Sequence, residues 1–269
     1  MNFFQALILG LCQGLTEFIP VSSSAHLVLV PWLLGWGNPG LAFDTVLHLG
    51  TLVAILAVFW RDFISLAVAW ARSIRQRSLA APSSRTAWAL VIGTVPAAVL
   101  GVAAADFFES LFNTPGWVAA LLLVTGFLLL ASERWASRSR ALEEIGVHHA
   151  LLIGLAQAFA IAPGLSRSGA TISAGRFAGL SRTDAARFSF LLATPTIAGA
   201  GALQVYKLSK VGLSGQSVAL LLAGFLAALI SSYLIIRFLL SYLQRHSLLP
   251  FAVYCGVVGF LGLLVWFAH

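Results

Sequence analysis

The sequence predicts an all-α polytopic membrane protein, with about six transmembrane helices and two re-entrant helical hairpins arranged as an inverted-topology repeat. Three observations predict it. Of 269 residues 59% are hydrophobic and 9% charged, too little polarity to cover a water-soluble domain. Several charge-free runs are near or above the roughly 18 residues that a helical span needs. Two polar segments, Gln13 to His26 (QGLTEFIPVSSSAH) and Pro163 to Thr171 (PGLSRSGAT), interrupt the apolar chain at corresponding places.

Taken in order, the N-terminal stretch is apolar, has no basic leader and runs directly into Glu17, so it reads as mature structure and not as a removable signal. After the first polar segment the spans are Thr45 to Trp60, a short one, then Trp88 to Ala105 and Ser110 to Ser132. Beyond the second polar segment they are Phe188 to Tyr206, Val211 to Ile236 and Ser247 to Ala268. All belong to one integral membrane domain, 1–269, with pseudo-repeats about 1–132 and 145–269.

The formal charge of +7 reflects topology and not a nucleic-acid partner, because the arginines lie between or at the ends of spans. Arg72, Arg75, Arg77 and Arg85 mark a cytoplasmic loop, as do Arg134, Arg138 and Arg140 in the segment from Glu133 to Val147. Asp106 to Pro115 carries acids and no base and is expected outside, together with the Gly35 to Gly40 turn and both termini. Cys12 and Cys255 have no metal-binding or disulfide spacing and read as small buried hydrophobes.

The repeat emerges when residue n is set against n+144. Ala6, Leu7, Gly10, Leu11, Gln13, Ser22 and Ser24 face Ala150, Leu151, Gly154, Leu155, Gln157, Ser166 and Ser168 without a gap. Three spans separate the equivalent points, an odd number, so the halves are expected to be inverted and the polar segments to enter from opposite sides. Pro20 and the Pro163-Gly164 pair break helices in mid-membrane, where irregular backbone survives only inside protein or beside a wet cavity. The serines after each break suit N-caps, and such helix ends attract anions.

The polar residues themselves assemble a phosphoryl-transfer kit. Gln13 and Glu17, four apart, share a helix face and can both reach one cation or water. Ser22, Ser23 and Ser24 offer hydroxyls, and His26 follows close enough to exchange a proton with a serine or a phosphate oxygen. Arg167 supplies a planar fork for phosphate, with Ser166, Ser168 and Thr171 as further donors. Singly each has a plainer use, as an interfacial carboxylate, a cap or a structural histidine; together they do not.

QGLTEFIPVSSSAH and APGLSRSGAT resemble the (E/Q)xxxE and PGxSRSxxT motifs of the undecaprenyl-diphosphate phosphatase family associated with bacitracin resistance. The resemblance extends through Phe43 to Thr51 and Phe188 to Leu192, nearly the whole chain. It implies a bacterial inner-membrane hydrolase that converts the polyprenyl diphosphate carrier to its monophosphate for cell-wall synthesis, with an active site open to the periplasm. It also implies a divalent metal, Mg or Ca, held at Glu17 and Gln13. Glu17, Ser23, His26 and Arg167 become the catalytic group, and Ser22, Ser24, Ser166, Arg167, Ser168 and Thr171 the substrate-binding set. Two departures from the family pattern are Gln13, often Glu, and Ala25, often Gly.

The nucleophile stays open among Ser23, His26 and a water, with His26 favoured as acid/base and Glu17 as its orienting partner or as metal ligand. The partners expected are the lipid substrate, surrounding membrane lipid and a second copy of the chain in a homodimer, with no nucleic acid. A lipid-carrier flippase or secondary transporter is the alternative, since broken helices in inverted repeats also serve transport.

Overall fold

The computed structural model describes residues 1–37, 39–136, 140–211 and 217–268, and is all-helical apart from one isolated bridge between Arg140 and Leu180. Asn38, within the Gly35 to Gly40 turn expected outside, and Arg138, among the arginines expected inside, lie outside the described residues. The first half comprises α1 (Phe3–Phe18), α2 (Ser23–Leu33), α3 (Leu41–Gln76), α4 (Pro82–Ala103), the short α5 (Ala105–Leu111) and α6 (Pro115–Trp135). The second comprises α7 (Val147–Phe159), α8 (Arg167–Phe177), α9 (Arg182–Val211), α10 (Val218–Tyr242) and α11 (Leu249–Ala268).

Among the described residues six helices, α3, α4, α6, α9, α10 and α11, are long and apolar enough to cross a membrane. Their bounds differ from the expectation most at α3, which continues past Trp60 to Gln76 through a kink at Phe59. Arg61 and Asp62 end the charge-free run without ending the helix. Asp62 pairs with Arg187 of α9, and the Arg61 guanidinium lies 5.1 Å from the Trp60 ring. The expected loop from Asp106 to Pro115 contains most of α5.

The polarity of the molecule is inverted relative to a soluble protein. Val91, Val95, Val99 and Val102 form an exposed stripe along α4, whereas Gln13, Thr51, Thr125, Ser132 and Thr171 are fully buried. Outward apolar and inward polar faces match a solvent of lipid tails.

The short helices are cut by their own sequence. Asn2 caps α1 in a reciprocal bond pair with Gln5. Pro20 forces Ile19 into extended backbone, which stops α1 after Phe18. Ser22 then caps α2, its hydroxyl accepting from the Ala25 N–H at 3.2 Å. The second half repeats the device: α7 stops before Pro163-Gly164, and Ser166 caps α8 by accepting from the Gly169 N–H at 3.0 Å.

Each of these short first helices packs on a long helix of the other half, α1 on α10 and α7 on α4. The repeat-related glycines explain how closely. A Cβ on Gly10 would lie 2.5 Å from the Gly224 carbonyl oxygen, and one on Gly154 would lie 2.3 Å from that of Gly93. Removing the side chain lets backbones touch, the usual route to helix association in lipid. α6 and α11, the last helices of the two halves, pack on each other. A core of Phe18, Phe59 and Phe190, with Phe18 edge-on to Phe190 at 5.2 Å, begins at the residue next to Glu17.

Candidate functional site

Glu17 is the centre of the polar cluster. Its side chain is 3% exposed, on the last turn of α1, and donors from three elements converge on it. Gln13, one turn earlier, donates its amide N–H to Oε2 at 2.9 Å. Ser23, the first residue of α2, donates its hydroxyl to the same oxygen at 2.5 Å. Arg167, the first residue of α8, donates from a terminal guanidinium nitrogen to Oε1. A carboxylate this deep is stable only when so paired and hydrogen-bonded. One residue from each hairpin therefore meets on it, and those two residues are themselves 144 apart.

The serines join the two hairpin tips. Ser22 and Ser24 hydroxyls lie 3.1 Å apart, and Ser166 and Ser168 hydroxyls 3.2 Å apart. Ser24 accepts from the Gly164 N–H at 3.3 Å, while Ser168 donates to the Ile19 carbonyl at 3.2 Å, so each hairpin reaches the other's loop. Gly164, at φ +98°, makes this possible: a side chain there would be strained and would meet the Val118 carbonyl at 2.2 Å. Thr125 of α6 holds the second loop, donating to the Gly164 carbonyl and accepting from the Ser166 N–H. Ser22 has φ +68°, rare for a side-chain-bearing residue and a form of strain concentrated at functional sites.

His26 is fixed at both nitrogens. Nδ1–H donates to the Ser22 carbonyl at 2.7 Å, which leaves Nε2 as the basic atom, accepting from the Tyr254 hydroxyl at 2.7 Å. Glu17 is bonded to Ser23, and the partner that orients His26 is Tyr254 of α11. Thr171 is turned away from the carboxylate, donating to the Arg167 carbonyl and sharing a 2.6 Å bond with the Ser189 hydroxyl of α9. The structure thus brings Gln13, Glu17, Ser23 and Arg167 together, uses Ser22, Ser24, Ser166 and Ser168 to clasp the hairpins, and sets Thr171 behind them.

Sequence reasoning missed two neighbours. His48 of α3 has Nε2 3.9 Å from Glu17 Oε2, and its Nδ1 lies 2.8 Å from the Asp44 carbonyl oxygen. Its signal was present, a histidine within the FDTVLHLGT string, but that string reads as the start of a span. Tyr254 sits in a charge-free run and gave no signal.

Among the described residues no group of three or more His, Cys, Asp and Glu side chains could hold a metal. Gln13 Oε1 is, however, buried without a partner. Turning that amide over puts its oxygen where Nε2 now stands, 2.9 Å from the Glu17 oxygen that also receives Ser23. Amide, carboxylate and hydroxyl oxygens suit a hard cation that takes its remaining ligands from phosphate and water. The residues fit such an ion as an open site and not as a closed protein cage.

Comparison with known proteins gives the same direction. The family described as bacitracin resistance protein BacA matches residues 6–261. The chain is 48% identical to the undecaprenyl-diphosphatase of Thermomicrobium roseum, with 98% of each chain covered. It is 44% identical to that of Desulforudis audaxviator, with 96% of each covered, and 46% identical to that of Rubrobacter xylanophilus, with 94% of each covered. The chain belongs to the BacA family.

Proposed function

We propose that this multi-pass membrane protein is a phosphatase that hydrolyses undecaprenyl diphosphate to the monophosphate and inorganic phosphate, recycling the lipid carrier for cell-wall synthesis and conferring bacitracin resistance. The relatives' activity supports it, and one observation carries it to this chain: a serine hydroxyl and a guanidinium, delivered by opposite hairpins, meet on one buried carboxylate.

The geometry supports Ser23 as nucleophile. Its hydroxyl already points its proton at Glu17, so attack by Oγ on the terminal phosphorus transfers that proton to the carboxylate as the O–P bond forms. The bond from that phosphorus to the bridging oxygen breaks, and the lipid monophosphate leaves. Water then attacks the phosphoserine, releasing phosphate and returning a proton to Ser23. His26 Nε2 is the base available for that water once the Tyr254 hydroxyl yields its bond. Arg167, whose side chain is 22% exposed, has guanidinium N–H groups beyond the one on Glu17 to hold the equatorial phosphoryl oxygens. First-turn N–H groups of α2 and α8 add neutral donors at the same end. Gln13 and Glu17 would hold a Mg or Ca ion, which supplies charge neutralisation on the phosphates.

The halves form inverted repeats whose first two helices are re-entrant, in a bacterial inner membrane, with the site open to the periplasm. Reciprocal packing of α1 on α10 and α7 on α4 supports the repeat. The test is phosphate release by the purified chain from long-chain and short-chain prenyl diphosphates, with and without chelator. Release that depends on Ser23 and traps a phosphoserine is the expected outcome; full release by Ser23→Ala would overturn the nucleophile assignment, and no release by the parent chain would overturn the activity.

A further inference from the structure

A second polar site lies at the other end of α8. From Arg167 to Arg176 the helix rises about 13 Å, and Arg176 lines a cleft of about 310 Å³ between the end of α6, the start of α7 and the α8–α9 turn. Arg140, His149, Trp135, Leu152 and Phe177 complete its walls. None of these residues takes part in the reaction above.

Two features of this cleft call for an anion. The first is guanidinium charge with no directly paired carboxylate. Arg176 is 7% exposed and donates to the Leu180 carbonyl at 2.6 Å and the Ala136 carbonyl at 3.0 Å, both neutral acceptors, while its Nε is buried with no partner. Arg140 is pinned through its backbone, donating to the Gly179 carbonyl and accepting from the Ser181 N–H. Among the described residues neither guanidinium has a carboxylate within 4.0 Å; the nearby Glu133 is taken by Arg182 in a two-pronged pair. The second is a donor conflict. His149 Nδ1 faces the Gly146 N–H at 3.2 Å and Nε2 faces the Arg140 guanidinium at 2.9 Å. An imidazole always keeps at least one N–H, so one of these two contacts sets donor against donor. An acceptor oxygen received by both Arg140 and His149 relieves it.

The surroundings say which anion. The cleft opens where α6 ends and α9 begins, at the ends of membrane-crossing helices, and Trp135, Leu152 and Phe177 beside it are exposed large apolar groups. Tryptophan at a span end marks the headgroup level, and basic pockets between helices there take lipid phosphates. We propose that this cleft binds the phosphate group of an anionic membrane phospholipid, with Arg140, His149 and Arg176 on the phosphate oxygens and the acyl chain over Leu152 and Phe177.

The test uses the full chain in neutral detergent, titrated with phosphatidylglycerol, phosphatidylcholine or inorganic phosphate. Bound lipid is counted by native mass spectrometry and thermal unfolding is followed in parallel. Phosphatidylglycerol should bind and raise the unfolding temperature, and phosphatidylcholine should not. Arg140→Gln and His149→Ala should each weaken phosphatidylglycerol about tenfold, the loss of one charge-assisted contact, while phosphate release in neutral detergent stays at the parent rate. Arg176 also holds two carbonyls, so its substitution would disturb the α8–α9 turn as well as the cleft. Unchanged phosphatidylglycerol binding in both variants overturns the proposal, as does equal binding of phosphatidylcholine. Inorganic phosphate that binds as tightly as phosphatidylglycerol overturns the lipid as ligand and assigns the cleft to a soluble anion.

Discussion

Replacing Glu17 by Gln keeps the shape of the side chain and removes what three donors are aimed at. In the parent, Oε1 receives Arg167 and Oε2 receives both Ser23 and Gln13. A glutamine offers one neutral oxygen and one NH2; with the oxygen on Arg167, the Ser23 hydroxyl must turn its proton away or the Gln13 amide must turn over to meet the NH2, and every bond to a charged acceptor is lost. Each lost bond to a charged acceptor is worth about 1.5 to 3 kcal/mol. Breaking a fully buried ion pair would cost about 3 to 5 kcal/mol of stability; the Arg167 side chain, 22% exposed, can turn toward water, so the folding loss should fall at or below the bottom of that range. The catalytic loss is separate and larger, because the acceptor of the Ser23 proton disappears, an effect of about 10²- to 10⁴-fold in general-base catalysis. The assay is phosphate release at saturating substrate, with thermal unfolding measured on the same preparation. Turnover should drop at least about a hundredfold in a chain that still unfolds cooperatively. Activity within tenfold of the parent, at any metal concentration, would show that Glu17 neither accepts the proton nor holds the ion.

Arg167→Lys keeps the charge and loses the planar fork, so transition-state stabilisation should fall by about 2 to 5 kcal/mol in phosphate-release kinetics while the chain still inserts. Gly164→Ala should destabilise the fold by about 2 to 5 kcal/mol in detergent unfolding, combining a strained φ with a Cβ driven into the Val118 carbonyl; Gly256→Ala, with open space around it, is the neutral control. Single cysteines at the exposed Arg75 and at Asn113, with Cys12 and Cys255 replaced by Ala, should label with an impermeant thiol reagent on intact cells at 113 and not at 75. Labelling at 75 would reverse the orientation.

The membrane class and the two helix breaks were legible because hydropathy is a local signal and because Pro20 and Pro163-Gly164 stand beside polar runs: Ile19 is extended before Pro20 and α7 ends ahead of Pro163, whereas Pro31, Pro96 and Pro195, in apolar surroundings, lie inside helices. Span bounds were less legible, since charge-free length sees Arg61 as an end, whereas an ion pair from Asp62 to α9 and an arginine over Trp60 let α3 continue. Within the site, Gln13 and Glu17 were readable from i, i+4 spacing. The Ser23 and Arg167 contacts with Glu17 were not, because they depend on how two hairpins meet. Tyr254 on His26 is the extreme case, a pairing across 228 residues with no local mark.

The two helix–loop–helix segments carry serine caps at positions 144 apart and different chemistry between them. Ser22 and Ser166 cap equivalent helices, and Ser24 and Ser168 each reach the opposite tip. Between them, at equivalent first-turn positions, stand Ser23 and Arg167, and the positions equivalent to Glu17 and His26 are Ile161 and Ala170. A terminal diphosphate has unlike ends, one phosphoryl to be attacked and one phosphate to leave, so a site for it gains from unlike halves. On the mechanism proposed above, the first half supplies nucleophile and proton acceptor and the second supplies the cation. The double exchange Ser23→Arg with Arg167→Ser tests this division. It keeps one guanidinium and one hydroxyl beside Glu17, so the charge balance that holds the hairpins together survives and unfolding should stay near that of the parent. The hydroxyl now enters from α8 and the guanidinium from α2, on the wrong sides of a substrate whose lipid tail and His26 have not moved. Misplaced reacting groups lose about a hundredfold or more, so phosphate release should be at least that much slower than in the parent. A folded double variant with turnover within tenfold of the parent would mean that the halves are interchangeable and that Ser23 is not the attacking group.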